Sequence, residues 1–257
     1  MVQRREVFLR IITLSRKGLY LSIIVLSLVL LGVSIRTMDL ALPSIAKHPG
    51  TYYLVQTEEK VLALTFDDGP DPLFTGHILD VLKEKNVKAT FFVLGMNAQG
   101  NPELLKRISE EGHEIANHGY SHSYTPTKFV CELTHTDELL YELLQKRTTY
   151  YRPPGGIISE SVLTGVKEQG HILTLWSIDS KDWQNPGPPR IIQNVVKNSF
   201  PGGIILLHDG GERREQTIQA LGPIIDQLRE QGYRFGTVSE LRNFESVKQV
   251  QKSNPKQ

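Results

Sequence analysis

The chain has 257 residues, 39% of them hydrophobic, with 29 Lys and Arg against 28 Asp and Glu. That composition excludes a disordered chain, and the even charge balance excludes a polyanion-binding surface, so no nucleic-acid partner is expected. The single cysteine, Cys131, excludes an internal disulfide and a thiolate zinc site.

Residues 1–17 carry Arg4, Arg5, Arg10, Arg16 and Lys17 and read as a basic cytoplasmic segment. The uncharged run 18–35, dominated by Leu, Ile and Val, predicts one N-terminal transmembrane helix. It is longer than a usual signal-peptide core and no small-x-small site lies just after it. An uncleaved signal-anchor is therefore expected over a cleaved, secreted form. The protein is then a single-pass cell-membrane protein whose remainder is extracytoplasmic. Residues 36–59, with Pro43, Pro49 and Gly50, show no sustained period and read as a linker ending in a short strand around Tyr52 to Val55.

A single domain over 60–245 follows. Short apolar runs at 61–66, 89–94, 113–117, 149–152, 172–178, 203–208 and 233–235 predict strands. Amphipathic stretches at 74–85, 102–111, 128–146, 160–169, 190–197 and 216–230 predict helices, several closed by a glycine such as Gly112, Gly170 or Gly232. Cys131 lies in one of them and is read as a small buried apolar side chain. Strand–helix alternation implies an α/β fold with a parallel sheet, and about seven such units suggest a distorted (β/α) barrel. No internal repeat is evident. The polar tail 246–257 is expected to lack fixed structure.

Ionisable residues fall at the carboxyl ends of the expected strands: Asp67 and Asp68, His118 and His122, Arg152, Asp179 and Asp182, and His208 and Asp209. In parallel α/β folds that rim carries the active site. Asp67-Asp68-Gly69-Pro70 reads either as two carboxylates facing a cation or as an ordinary Asp-Gly-Pro turn. His118 and His122, four apart, can share one metal ion, which shifts the balance towards the first reading. One carboxylate and two imidazoles suit zinc, cobalt or a similar transition ion, and three protein ligands leave a position for water or substrate. His48, His77, His113, His135 and His171 read as structural or solvent-exposed. His208 ends an apolar strand and could protonate a leaving amine, with Asp182 beside it to keep it charged.

Thr65-Phe66-Asp67-Asp68-Gly69-Pro70, Asn117-His118-Gly119-Tyr120-Ser121-His122, Arg152-Pro153-Pro154, Asp182-Trp183 and Leu206-Leu207-His208-Asp209, in that order, resemble the five motifs of the polysaccharide deacetylases, the NodB-homology domains of carbohydrate esterase family 4. The resemblance covers about Lys60 to Leu241. It implies Asp67 as the base that deprotonates water on a metal held by Asp68, His118 and His122, with Arg152 pairing with Asp67. It implies His208 as the acid, oriented by Asp182. It implies an oxyanion amide after Pro153 and Pro154, at Gly155, and an acetyl pocket walled by Trp183 and Leu206.

Two positions depart from the family pattern. Gly119 replaces the usual Ser or Thr, which removes a hydrogen bond bracing that loop. Gly155 replaces an aromatic residue that could stack on a sugar. The function expected is N-acetyl hydrolysis on amino sugars of peptidoglycan or a chitin-like glycan, by a monomer. An O-acetyl esterase and a catalytically silent glycan-binding domain are the alternatives.

Overall fold

The computed structural model describes residues 50–244 apart from Pro126. The expected basic segment, anchor and tail, His48, and all of the expected linker before Gly50 lie outside the described residues. Among the described residues no helix is long and apolar enough to cross a membrane.

Strand β1 (Val61–Asp67) is buried along its whole length, as the uninterrupted apolar run requires. Its period of two sorts the side chains. Leu62, Leu64 and Phe66 face an outer layer of helices, whereas Val61 and Ala63 face an inner cluster with Phe92, Ala116, Tyr150 and Ile204. The helices opposite the first set are α1 (Thr75–Glu84), α3 (Pro102–Glu110), α6 (Pro188–Asn198) and α7 (Glu215–Glu230), which contribute Ile78, Leu105, Ile191 and Ile224 among others.

The other strands are β2 (Thr90–Val93), β3 (Glu114–Asn117), β4 (Tyr150–Tyr151), β5 (Ile172–Leu173), β6 (Ile178–Asp179), β7 (Ile204–His208) and β8 (Arg234–Gly236). All pair in parallel in the order β5-β4-β3-β2-β1-β7-β6, with β8 on the first half of β1. The result is a parallel α/β half-barrel with helices outside, in which α5 (Glu160–Glu168) links β4 to β5. In register, Thr65 lies opposite Leu206 and Asp67 opposite His208. The alternation that turns Leu64 and Phe66 outward therefore turns Thr65, Asp67, Leu206 and His208 inward at the carboxyl end.

Two expectations are corrected, and two features extend the reading. The run 172–178 is not one strand: it divides into β5 and β6 on opposite edges of the sheet. Between them the carbonyls of Thr174 and Leu175 turn to the guanidinium of Arg152, at 3.3 and 2.9 Å. The segment expected to end the linker in a short strand joins the sheet. Tyr52 pairs with Thr174 and Leu54 with Gly203, so this segment bridges the β5 side to the β7 side, and Val55 is buried in the inner cluster. Cys131 is exposed on α4 (Phe129–Leu144). Phe129, Leu133, Thr136 and Leu140 form the buried stripe of that helix, and position 131 falls off it. Finally, the short helix α2 (Gly95–Gly100) was not expected. It is too polar to show a period, and it is fixed by Gly95 and Met96 amides donating to the carbonyls of Gly119 and Tyr120.

Candidate active site

At the end of β1 the chain leaves the sheet at once. Asp68 adopts a left-handed φ of +76°, and its carbonyl accepts from Asn97 Nδ2 at 2.7 Å. The neighbouring turn after β7 locks against it. The Gly69 amide donates to Asp209 Oδ1, and Thr75 Oγ1 donates to Asp209 Oδ2 at 2.6 Å. A Cβ at Gly69 would lie 2.0 Å from Asp209 Oδ2, so the two turns interlock only with glycine there. Asp209, seen in the sequence only as a rim residue, is thus the buried knot that fixes Asp68. Burial raises its carboxyl to about 7, partly offset by Thr75, with Asp68 and Asp67 adding to the rise.

His118 follows β3. Its Nδ1 lies 2.7 Å from the carbonyl oxygen of Arg152. A carbonyl can only accept, so Nδ1 carries hydrogen and Nε2 presents its lone pair. That Nε2 lies 3.5 Å from Asp68 Oδ1, and Nε2 of His122 lies 3.3 Å from the same oxygen. His122, like Asp68, is held at a left-handed φ, +57°. Backbone strain in two of three facing residues is a mark of a functional site.

Asp68 Oδ1 is buried without a hydrogen-bond donor. Burial opposes its charge, but His118, then His208 and His122, hold the carboxyl down at about 2. Burial likewise opposes charge on His118, and Asp67 and Asp68 outweigh it. The cluster therefore attracts positive charge. Its ligand atoms lie within 4.8 Å of one another, and the 3.3 and 3.5 Å spacings match the edge of a tetrahedron around an ion about 2.1 Å from each donor. An orphaned carboxylate oxygen and a lone-pair imidazole fit a divalent transition ion.

Asp67 is buried and splits its oxygens between two tasks. Oδ1 accepts from Arg152 Nη1 at 2.6 Å, and Oδ2 faces His118 Nε2 at 3.8 Å. Arg152 is fully buried, and its charge is met on every side. Besides Asp67 it donates to Thr65 Oγ1 and to the Leu175 and Thr174 carbonyls, with its guanidinium 3.9 Å from the centre of the Phe92 ring.

Beside Asp67 on the neighbouring strand, His208 Nδ1 lies 2.7 Å from Asp182 Oδ1. Asp182 Oδ2 accepts from the His208 amide and from Thr217 Oγ1. Burial lowers the His208 imidazole, and the Asp182 carboxylate more than compensates, so its pKa is pushed up to about 9.

Asp67, Asp68, His118, His122 and His208 open on one cleft of about 630 Å³. Trp183, Leu206 and Gly155 line it as the sequence suggested, and Asp179 does too. Pro153 and Pro154 do not. They are buried and line a small hollow with Tyr151 and Ile157. Unanticipated lining residues are Tyr124, Trp176 and Arg214. They lie outside the five motifs, so only their position in the fold reveals them.

Glu132 was also missed. From α4 it accepts the Tyr120 and Ser121 amides on Oε2 and the Ser121 hydroxyl on Oε1, while Asn117 Oδ1 accepts from the Gly119 amide. Gly119, at φ +84°, lies against Glu132, so the bracing expected from a Ser or Thr side chain comes from this carboxylate instead. His113 and His171 are structural. His113 Nδ1 accepts from the Ala89 amide, and His171 pairs with Asp137. His77 and His135 are exposed.

The sequence profile of the polysaccharide deacetylases matches residues 55–173. The chain is 45% identical over 195 residues to the peptidoglycan-N-acetylglucosamine deacetylase of Bacillus cereus, covering 74% of this chain and 92% of that protein. It is 36% identical to the peptidoglycan-N-acetylmuramic acid deacetylase PdaA of Bacillus subtilis over 208 residues, 78% of each chain. Among solved structures, that of the Bc1960 peptidoglycan N-acetylglucosamine deacetylase superposes with a TM-score of 0.72 at 41% identity, covering 75% of this chain and 92% of that one. This chain belongs to the polysaccharide deacetylase family.

Proposed function

We propose that this enzyme hydrolyses the N-acetyl group of amino-sugar residues in peptidoglycan, releasing acetate and a free amine. The carrying observation is the inward convergence of Asp67, the Asp68–His118–His122 cluster and the His208–Asp182 pair on one cleft. The similarity to peptidoglycan deacetylases supports the substrate class. Asp68, His118 and His122 would hold the divalent metal, with zinc the best match to two imidazoles and one carboxylate. When bound, such an ion polarises the acetyl carbonyl and makes a nearby water more acidic.

The chain's own groups do the rest. Asp67, oriented by Arg152 through Oδ1, offers Oδ2 as the base towards the metal cluster. The Gly155 amide would donate to the developing oxyanion. His208 delivers a proton to the departing nitrogen, and Asp182 both fixes the ring and keeps it charged. Leu206 and Trp183 wall the space for the acetyl methyl group.

Positive residues before the uncharged run 18–35 support an anchored enzyme facing outward, where it meets the wall polymer first. Acetate release from N-acetylglucosamine oligomers, compared with release from acetylxylan, tests the reaction. Release from the oligomers should require zinc or cobalt, stop with a chelator, and fall by about 10²–10⁴-fold in Asp67→Asn. Release from acetylxylan alone would establish an esterase.

A further inference from the structure

Position 155 has no side chain, yet the space beside it is taken. A Cβ built on Gly155 would lie 3.0 Å from Cε1 and 3.7 Å from Cδ1 of Tyr124, and the backbone there is left-handed at φ +62°. Glycine thus allows the ring of Tyr124, from the loop after β3, to lie where an aromatic residue at 155 would project. The same ring stands edge-on to His122, with centroids 5.0 Å apart and planes at 87°. It lines the cleft, and 60% of the residue is exposed. The contact with His122 and the place left by Gly155 set this open ring at the mouth of the cleft, within reach of a ligand that enters it. Trp183, which lines the same cleft, is also exposed, at 47%. An open aromatic face at a polar cleft fits the apolar C–H face of a pyranose ring.

Resting on the deacetylase reading, we propose that Tyr124 is the sugar-stacking, specificity-determining residue of this cleft, taking over the task that Gly155 leaves undone. The role was invisible in the sequence because the ring and the gap it fills are 31 positions apart and meet only after folding.

The test compares full-length wild type, Tyr124→Ala and Tyr124→Phe. Three quantities are measured: the Kd for N-acetylglucosamine oligomers by calorimetry, KM and kcat for acetate release, and bound zinc. Tyr124→Ala should raise Kd and KM about tenfold, equivalent to about 1.4 kcal/mol, with zinc content and kcat changed far less. Tyr124→Phe keeps the ring and should hold Kd and KM near those of the native protein. An unchanged Kd in Tyr124→Ala, a loss that tracks zinc, or failure of Phe to retain binding would overturn the proposal. So would a wild-type protein that binds no oligomer. Oligomer binding without acetate release would instead sink the deacetylase reading, and the Kd comparison would still decide the role of Tyr124.

Discussion

His208 is a strong proton holder only because of one neighbour. Burial works against its charge, and Asp182 reverses the outcome, so the imidazole stays protonated through neutral pH. The stabilisation from this pair is complete below the ordinary imidazole pKa and is lost as pH rises through about 9. Activity that depends on the protonated ring should fall over the same alkaline range. In Asp182→Asn the alkaline limb of kcat should move down by about two pH units, read from a pH–rate profile. An unmoved limb would remove His208 from the acid role. At this scale the chemistry was largely legible in the sequence, because Asp67, Asp68, His118, His122, Arg152, Asp182 and His208 end strands in recognisable motifs. Tyr124, Glu132 and the locking role of Asp209 were not, since each meets its partners only after folding.

Between elements, the loop that carries His118 and His122 depends on helix α4. Glu132 accepts three hydrogen bonds from Tyr120 and Ser121 and so braces the loop around Gly119. Glu132→Gln loses the charge that strengthens those bonds and should weaken zinc binding by about 10- to 100-fold, measured by competition with a chelator. Equal zinc affinity in the variant would show that the loop holds itself. The elements themselves were mostly readable from apolar period and closing glycines. The exceptions have local causes: Arg152 draws the carbonyls of 174 and 175 out of a strand, and α4 presents Cys131 beside its buried stripe instead of within it.

At the largest scale, the half-barrel of the described domain is held by the short segment around Tyr52 to Val55. Tyr52 and Val55 amides donate to Leu173 and Gly202, and the Leu175 amide donates to Tyr52, tying the β5 side to the β7 side. A Cβ at Gly202 would lie 1.9 Å from the Val55 carbonyl oxygen, so the closure is tight. A chain starting at Lys60 should be less stable than one starting at Thr51 by about 3 kcal/mol or more, from the lost burial of Val55 and these hydrogen bonds. Urea denaturation of the two chains measures the difference, and equal midpoints would show that the bridge is dispensable. The short strand itself was legible, but its closing role was not, because a run of residues does not reveal which strands it will meet.

The chemistry, the fold that assembles it and the substrate class meet in one reaction, which can be observed directly. Peptidoglycan fragments of defined structure, incubated with the zinc-loaded protein and analysed by mass spectrometry, should lose acetyl groups from amino-sugar nitrogen and gain free amines. The change should be absent with a chelator and with Asp67→Asn. Fragments that stay fully N-acetylated with the zinc-loaded protein would contradict the account.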